Sequence, residues 1–151
     1  MAKVNRIVIH CTADPEDAKR NREYFRKLFF ENYRWTHWGY HVIVYQNGEW
    51  EVLQQLPKQT VYGGFIDAGS LAFGARGYNG DSLHIAYVGG LSTSSFRFAD
   101  TRTLQQRETL RMLVSKYKQL YKINEVVGHR DLPGVRKQCP CFDARKEYEN
   151  V

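Results

Sequence analysis

Val126 to Asp143 reads VVGHRDLPGVRKQCPCFD. Glu125, Val126 and Val127 have the pattern of a short buried strand, which delivers His129 just past its end. An irregular segment with Pro133 and Gly134 follows, and then Lys137, Cys139 and Cys141 arrive together. An imidazole, an ammonium and a thiol on one loop are the parts of a zinc site with a cation beside it. Two ligands do not complete such a site, so the chain must supply a third from elsewhere. His10, which ends the first strand at Arg6-Ile-Val-Ile-His10, is the candidate. Taken alone, a histidine after a strand is more often a hydrogen-bonded surface or core residue than a ligand, and a lone cysteine is usually a small buried hydrophobe. The residues by themselves also leave Cys139 and Cys141 open as the thiol ligand.

Working outward, Ile7 and Ile9 alternate with Arg6, Val8 and His10 as a strand requires, and Cys11 should face away from His10. A strand ending in His10 places that residue at the end of the sheet, where sites on open sheets lie. Asp14-Pro15-Glu16-Asp17 predicts a helix start, with Asp14 as cap and Pro15 at the first helical position. Ala18, Phe25, Leu28, Phe29 and Asn32 would form its inner face. Trp35, Trp38 and Tyr40 follow in a turn-like stretch. Val42 to Tyr45 and Glu49 to Leu53 flank Asn47-Gly48, a strong hairpin signal. The Gly-rich stretch 54–81 reads as one wall of a groove. Leu83, Ile85 and Tyr87 mark a further strand. Thr103 and Gln106 have capping-box spacing ahead of the stripe Leu110, Leu113, Val114, Tyr117 and Leu120. A short helix should begin at Asp143. The order strand-helix-hairpin-strand-helix-strand-helix predicts an α/β fold: one domain over 1–151 with a mixed central sheet flanked by helices.

The chain has 151 residues, 42% hydrophobic and 14% aromatic, which suits one domain with one core. No apolar run approaches the roughly 20 residues that span a bilayer, so membrane insertion is not expected. Met-Ala-Lys-Val-Asn-Arg leads straight into a strand with no secretory apolar region, so synthesis in a cytoplasm is expected. Three cysteines do not suggest a disulfide framework and remain available as ligands. The net charge of +6 favours anionic partners, a cell wall among them. The basic residues are scattered rather than massed in a block or an aromatic-basic ladder, which argues against nucleic acid.

Six pieces recur in order: Ile9-His10-Cys11-Thr12-Ala13, Gly39-Tyr40-His41, Ala75-Arg76-Gly77-Tyr78-Asn79, Tyr87-Val88-Gly89-Gly90, Gly128-His129-Arg130-Asp131 and Lys137-Gln138-Cys139-Pro140-Cys141-Phe142-Asp143. Together they resemble the zinc N-acetylmuramoyl-L-alanine amidases of the phage-lysozyme and peptidoglycan-recognition-protein type, from about Arg6 to Asp143. The resemblance implies that fold, a Zn2+ held by His10, His129 and Cys139, and Cys139 rather than Cys141 as the thiol, because the family's ligand precedes Pro. It also implies catalytic roles for Lys137, which would stabilise an oxyanion, and for Tyr40, which would orient or deprotonate the attacking water. Two positions depart from the pattern: Gly74 stands where a cleft histidine is common, and His84 where a glycine is common. His37 and His41 read as structural.

What the resemblance implies for function is hydrolysis of the bond between N-acetylmuramic acid and L-alanine in peptidoglycan. A monomeric phage or prophage endolysin, reaching the wall through a partner such as a holin, is the expected setting. Two alternatives follow from the same family: a peptidoglycan-binding module without catalysis, whose members typically lose the cysteine ligand, and an amidase that also regulates a phage RNA polymerase.

Overall fold

The computed structural model describes residues 2–151. Its centre is a five-stranded sheet built from β1 (Arg6–Cys11), β2 (Val42–Val44), β3 (Trp50–Val52), β4 (Ser82–Tyr87) and β5 (Glu125–Gly128), in the order β5-β1-β4-β2-β3. β5, β1, β4 and β2 run parallel, and β3 returns antiparallel to β2 through the Asn47-Gly48 turn. Gly48 takes φ +86° there, a conformation a side chain would resist. The mixed sheet of the sequence reading is therefore present, with β1 and β4 inside it.

Alternation along the strands divides the core between two faces. Ile7, Ile9, Cys11, Leu83, Ile85 and Tyr87 pack with Leu110, Leu113, Val114 and Tyr117 of helix α2 (Leu104–Tyr121). Burying each such large apolar side chain contributes roughly 1.5–3 kcal/mol. On the opposite face Ile43 and Ala86 pack against Phe25 and Phe29, while Val8 and Val127 pack against Ala75 and Leu132. Helix α2 starts as its sequence requires. Thr103 Oγ1 accepts from the Gln106 backbone at 3.0 Å, and Gln106 Oε1 accepts from the Thr103 backbone at 2.9 Å. The last helix, α3 (Ala144–Glu147), is capped by Asp143 as expected.

Two local expectations are corrected. The first helix does not begin at Asp14. Asp14–Pro15 pairs in parallel with Gly90–Leu91, and the Asp14 carboxylate is taken by Arg20 at 3.2 Å. With that cap engaged elsewhere, α1 (Arg22–Arg26) begins after Asn21, whose side chain accepts from the Tyr24 backbone at 2.9 Å. It then widens into a π-helical turn at Lys27–Asn32. The stretch 54–81 is also not all loop. Lys58–Thr60 and Gly63–Ile66 form a hairpin that pairs with Ala2–Lys3 as a second, three-stranded sheet. Only the later part, with Phe73 and Gly74, forms the wall of a cleft beside the main sheet.

Candidate active site

Parallel pairing of β5 with β1 places Gly128 opposite Ile9, so the next residue, His129, arrives beside His10. Their ring centroids are 4.7 Å apart. The loop after β5 is tied at both ends. Gly128 N–H donates to Asp131 Oδ2 at 2.8 Å, and Arg130 N–H donates to the Cys139 carbonyl at 2.8 Å. Tyr87 Oη donates to the Pro140 carbonyl at 2.6 Å from beneath. These bonds set Cys139 over the end of β1, where its Sγ receives the Cys11 backbone N–H at 3.2 Å and lies 3.7 Å from His10 Nδ1.

Among the described residues, the ligand atoms of His10, His129 and Cys139 converge within 4.8 Å of one another. Zinc bonds of about 2.0–2.3 Å place tetrahedral ligand atoms roughly 3.5 Å apart, so the donors and their spacing fit a metal of that kind. Both histidines are nearly buried. Burial, followed by the neighbouring His84, His129 and Lys137, holds His10 well below its ordinary pKa. Burial and then Lys137 bring His129 down to about 4. Both rings are therefore neutral at pH 7, the state in which an imidazole offers a lone pair to a metal.

Cys141 points elsewhere. Its Sγ lies 3.8 Å from Cys11 Sγ and 3.7 Å from the Gly90 carbonyl, on the α2 side of the sheet. That orientation sets it apart from the His10–His129–Cys139 cluster, and Cys11 turns away from His10 as the alternation requires. Tyr40 and Lys137 line the same cleft, of about 240 Å³, together with Phe29, Trp35, Phe73 and Gly74. The Tyr40 ring lies 5.3 Å from that of His10. Burial, with Cys139 adding to it, keeps the Tyr40 hydroxyl protonated well above the usual range. Lys137 is exposed at the cleft mouth. A larger, open hollow of about 780 Å³ lies between Arg20 and Trp50 and contains neither histidine nor cysteine.

The other histidines divide into two kinds. His41 accepts the His84 backbone N–H at 3.0 Å through Nδ1 and donates to the Ser70 carbonyl at 2.7 Å through Nε2, a structural role as expected. His37 reaches the Ala68 carbonyl at 2.6 Å. His84 is different, because its Nδ1 meets His10 Nε2 at 2.8 Å. Sequence reasoning noted His84 only as a departure from a pattern. The parallel register that sets His84 opposite Val8, on the same face as His10, places it there, and no spacing in the sequence encodes that register.

The mixed sheet thus brings two histidines and a cysteine that could hold a metal ion to a cleft also lined by Lys137 and Tyr40. The chain belongs to the N-acetylmuramoyl-L-alanine amidase family, whose profile matches residues 1–142. It is accordingly an enzyme that hydrolyses an amide bond of peptidoglycan. It is 27% identical to an endolysin of Enterobacteria phage T3 over 152 residues, covering 98% of this chain and 87% of the relative. An endolysin of Escherichia phage T7 is 27% identical over 143 residues, with 95% and 84% covered. Among solved structures, the N-acetylmuramoyl-L-alanine amidase LysC from Clostridium intestinale superposes with a TM-score of 0.70 at 19% identity, over 96% of this chain and 81% of that one. Bumblebee PGRP-SA superposes with a TM-score of 0.69 at 16% identity, over 99% and 83%. These last two similarities establish the shared fold.

Proposed function

We propose that the chain is a zinc-dependent endolysin amidase that cuts between the lactyl group of N-acetylmuramic acid and L-alanine. The convergence of His10, His129 and Cys139 beside Lys137 and Tyr40 carries this reading. When bound, zinc supplies a Lewis acid that polarises the scissile carbonyl and acidifies water. Lys137, exposed at the mouth of the cleft, would lend its positive charge to the developing oxyanion, where such a charge acts most strongly in the transition state. Tyr40, which lines the cleft with its hydroxyl kept protonated by burial, would orient or deprotonate the attacking water. The aromatic wall of Phe29, Trp35 and Phe73 excludes water on one side of the cleft and gives a sugar or peptide an apolar surface.

A monomer of 17.7 kDa is the expected working unit, which light scattering checks. The net charge of +6 suits an anionic wall, and no helix among the described residues is long and apolar enough to cross a membrane. The test is digestion of purified peptidoglycan by the zinc-loaded protein. New free L-alanine amino termini without new reducing sugar ends are expected, and new reducing ends would make it a glycosidase. Lys137→Ala should cut release by about 10²–10³ while leaving zinc content unchanged. Tyr40→Phe should slow it without loss of folding.

A further inference from the structure

His84 lies on β4 opposite Val8 and shares the face of the sheet that carries His10. Its imidazole is wholly buried and bonded at both nitrogens. Nδ1 is 2.8 Å from His10 Nε2, and Nε2 is 3.0 Å from Asn79 Oδ1. The same Asn79 oxygen receives the Ala75 backbone N–H at 2.8 Å.

That backbone contact fixes every proton in the chain of bonds. A backbone N–H only donates, so the Asn79 atom facing it is the amide oxygen, which only accepts. His84 Nε2 must therefore carry the hydrogen, leaving a lone pair on Nδ1. His10 Nε2 must then be the donor to His84, and the remaining lone pair of His10 sits on Nδ1, the nitrogen 3.7 Å from Cys139 Sγ. Gly74 makes room for the arrangement: a Cβ there would stand 2.4 Å from His84 Nδ1 and 2.5 Å from its Cγ.

We propose that His84 is a positioning residue of the metal centre, which together with Asn79 holds His10 in the tautomer and orientation that present Nδ1 to the metal. Without the acceptor, His10 is free to carry its hydrogen on Nδ1 or to turn its ring, and either change removes a ligand atom. The proposal rests on His10 being a metal ligand, and it adds a residue that touches neither the metal nor the substrate. Partners of this kind typically change metal affinity by about 10–100-fold when removed.

The experiment measures the zinc Kd of the whole chain by competition with a chromophoric chelator, alongside the cobalt absorption spectrum and the melting of the metal-free protein. His84→Phe keeps an aromatic ring in the space and removes the acceptor, so zinc should bind about 10–100-fold more weakly, with altered cobalt bands. His84→Asn restores an oxygen near the place of Nδ1 and should recover most of that affinity. If neither folds, Asn79→Leu and Asn79→Asp carry the same test from a partly exposed position. The leucine removes the acceptor for His84 and should weaken zinc binding, whereas the carboxylate keeps it and should not. Native zinc affinity in His84→Phe, or equal weakening in each pair, overturns the proposal and leaves His84 a core residue. If the native chain itself failed to bind zinc, the ligand assignment would fall first and this proposal with it.

Discussion

At the scale of single residues, the two thiols of Cys139-Pro140-Cys141 have opposite fates. Cys139 Sγ faces His10 Nδ1, while Cys141 Sγ faces Cys11. Cys139→Ala should therefore abolish zinc binding and amide cleavage, and Cys141→Ala should keep both, with metal content by atomic absorption as the measurement. The reverse result would move the ligand one turn along the loop. The three candidate ligands were legible in the sequence because His10 lies in the last two residues of one strand, His129 follows another directly, and Cys139 comes on the loop after it, positions that backbone pattern alone defines. Cys139 was separated from Cys141 by resemblance alone. His84 was not legible as a partner of His10, since its role depends on the direction of an N–H at Ala75, which no spacing encodes. Gly74 illustrates the same limit, because the reason for it is an imidazole ten residues further along the chain.

At the scale of elements, the second helix and the hairpin were read correctly, and both owe this to local chemistry. The capping box of Thr103 and Gln106 closes on itself, and the Thr103 hydroxyl also donates to the Gln46 carbonyl at 2.6 Å. Thr103→Ala removes the cap and should lower stability by about 1–2 kcal/mol in urea unfolding, with no change in zinc content. A loss no larger than that of an exposed surface substitution would show that the helix is held by packing alone. The first helix was misplaced because Asp14, a good cap by type, is claimed by Arg20 and by pairing with the segment after β4. The hairpin at 58–66 was missed because Lys58–Thr60 is polar and exposed and the returning strand opens with Gly63-Gly64, so neither shows an apolar alternation.

At the scale of the whole molecule, acid is the natural stress. Burial lowers His41 to about 4 from an ordinary 6.5 and lowers His129 similarly, and it holds His10 and His84 well below 6.5. The unfolded chain thus binds more protons than the folded one as pH falls below 6.5. The stability these groups contribute is fully present above that value and is lost as pH drops towards 4 and through it. For His41, which is wholly buried, the shift corresponds to roughly 3 kcal/mol. Urea unfolding of the metal-free protein between pH 7.5 and pH 4 should show this decline. Zinc should be released over the same range, since protons then compete with it for the ligand atoms. A flat profile would mean that these rings take up protons over the same pH range in the folded and the unfolded chain. One further consequence lies in the sheet order. β5, which leads into His129 and Cys139, is the last strand of the sheet to be made, and it docks beside the first, so His10 and Cys139 meet across 129 positions of chain. The His10–His129–Cys139 cluster therefore cannot assemble on the ribosome until synthesis has passed Cys139 and the closing strand can seat itself beside the first.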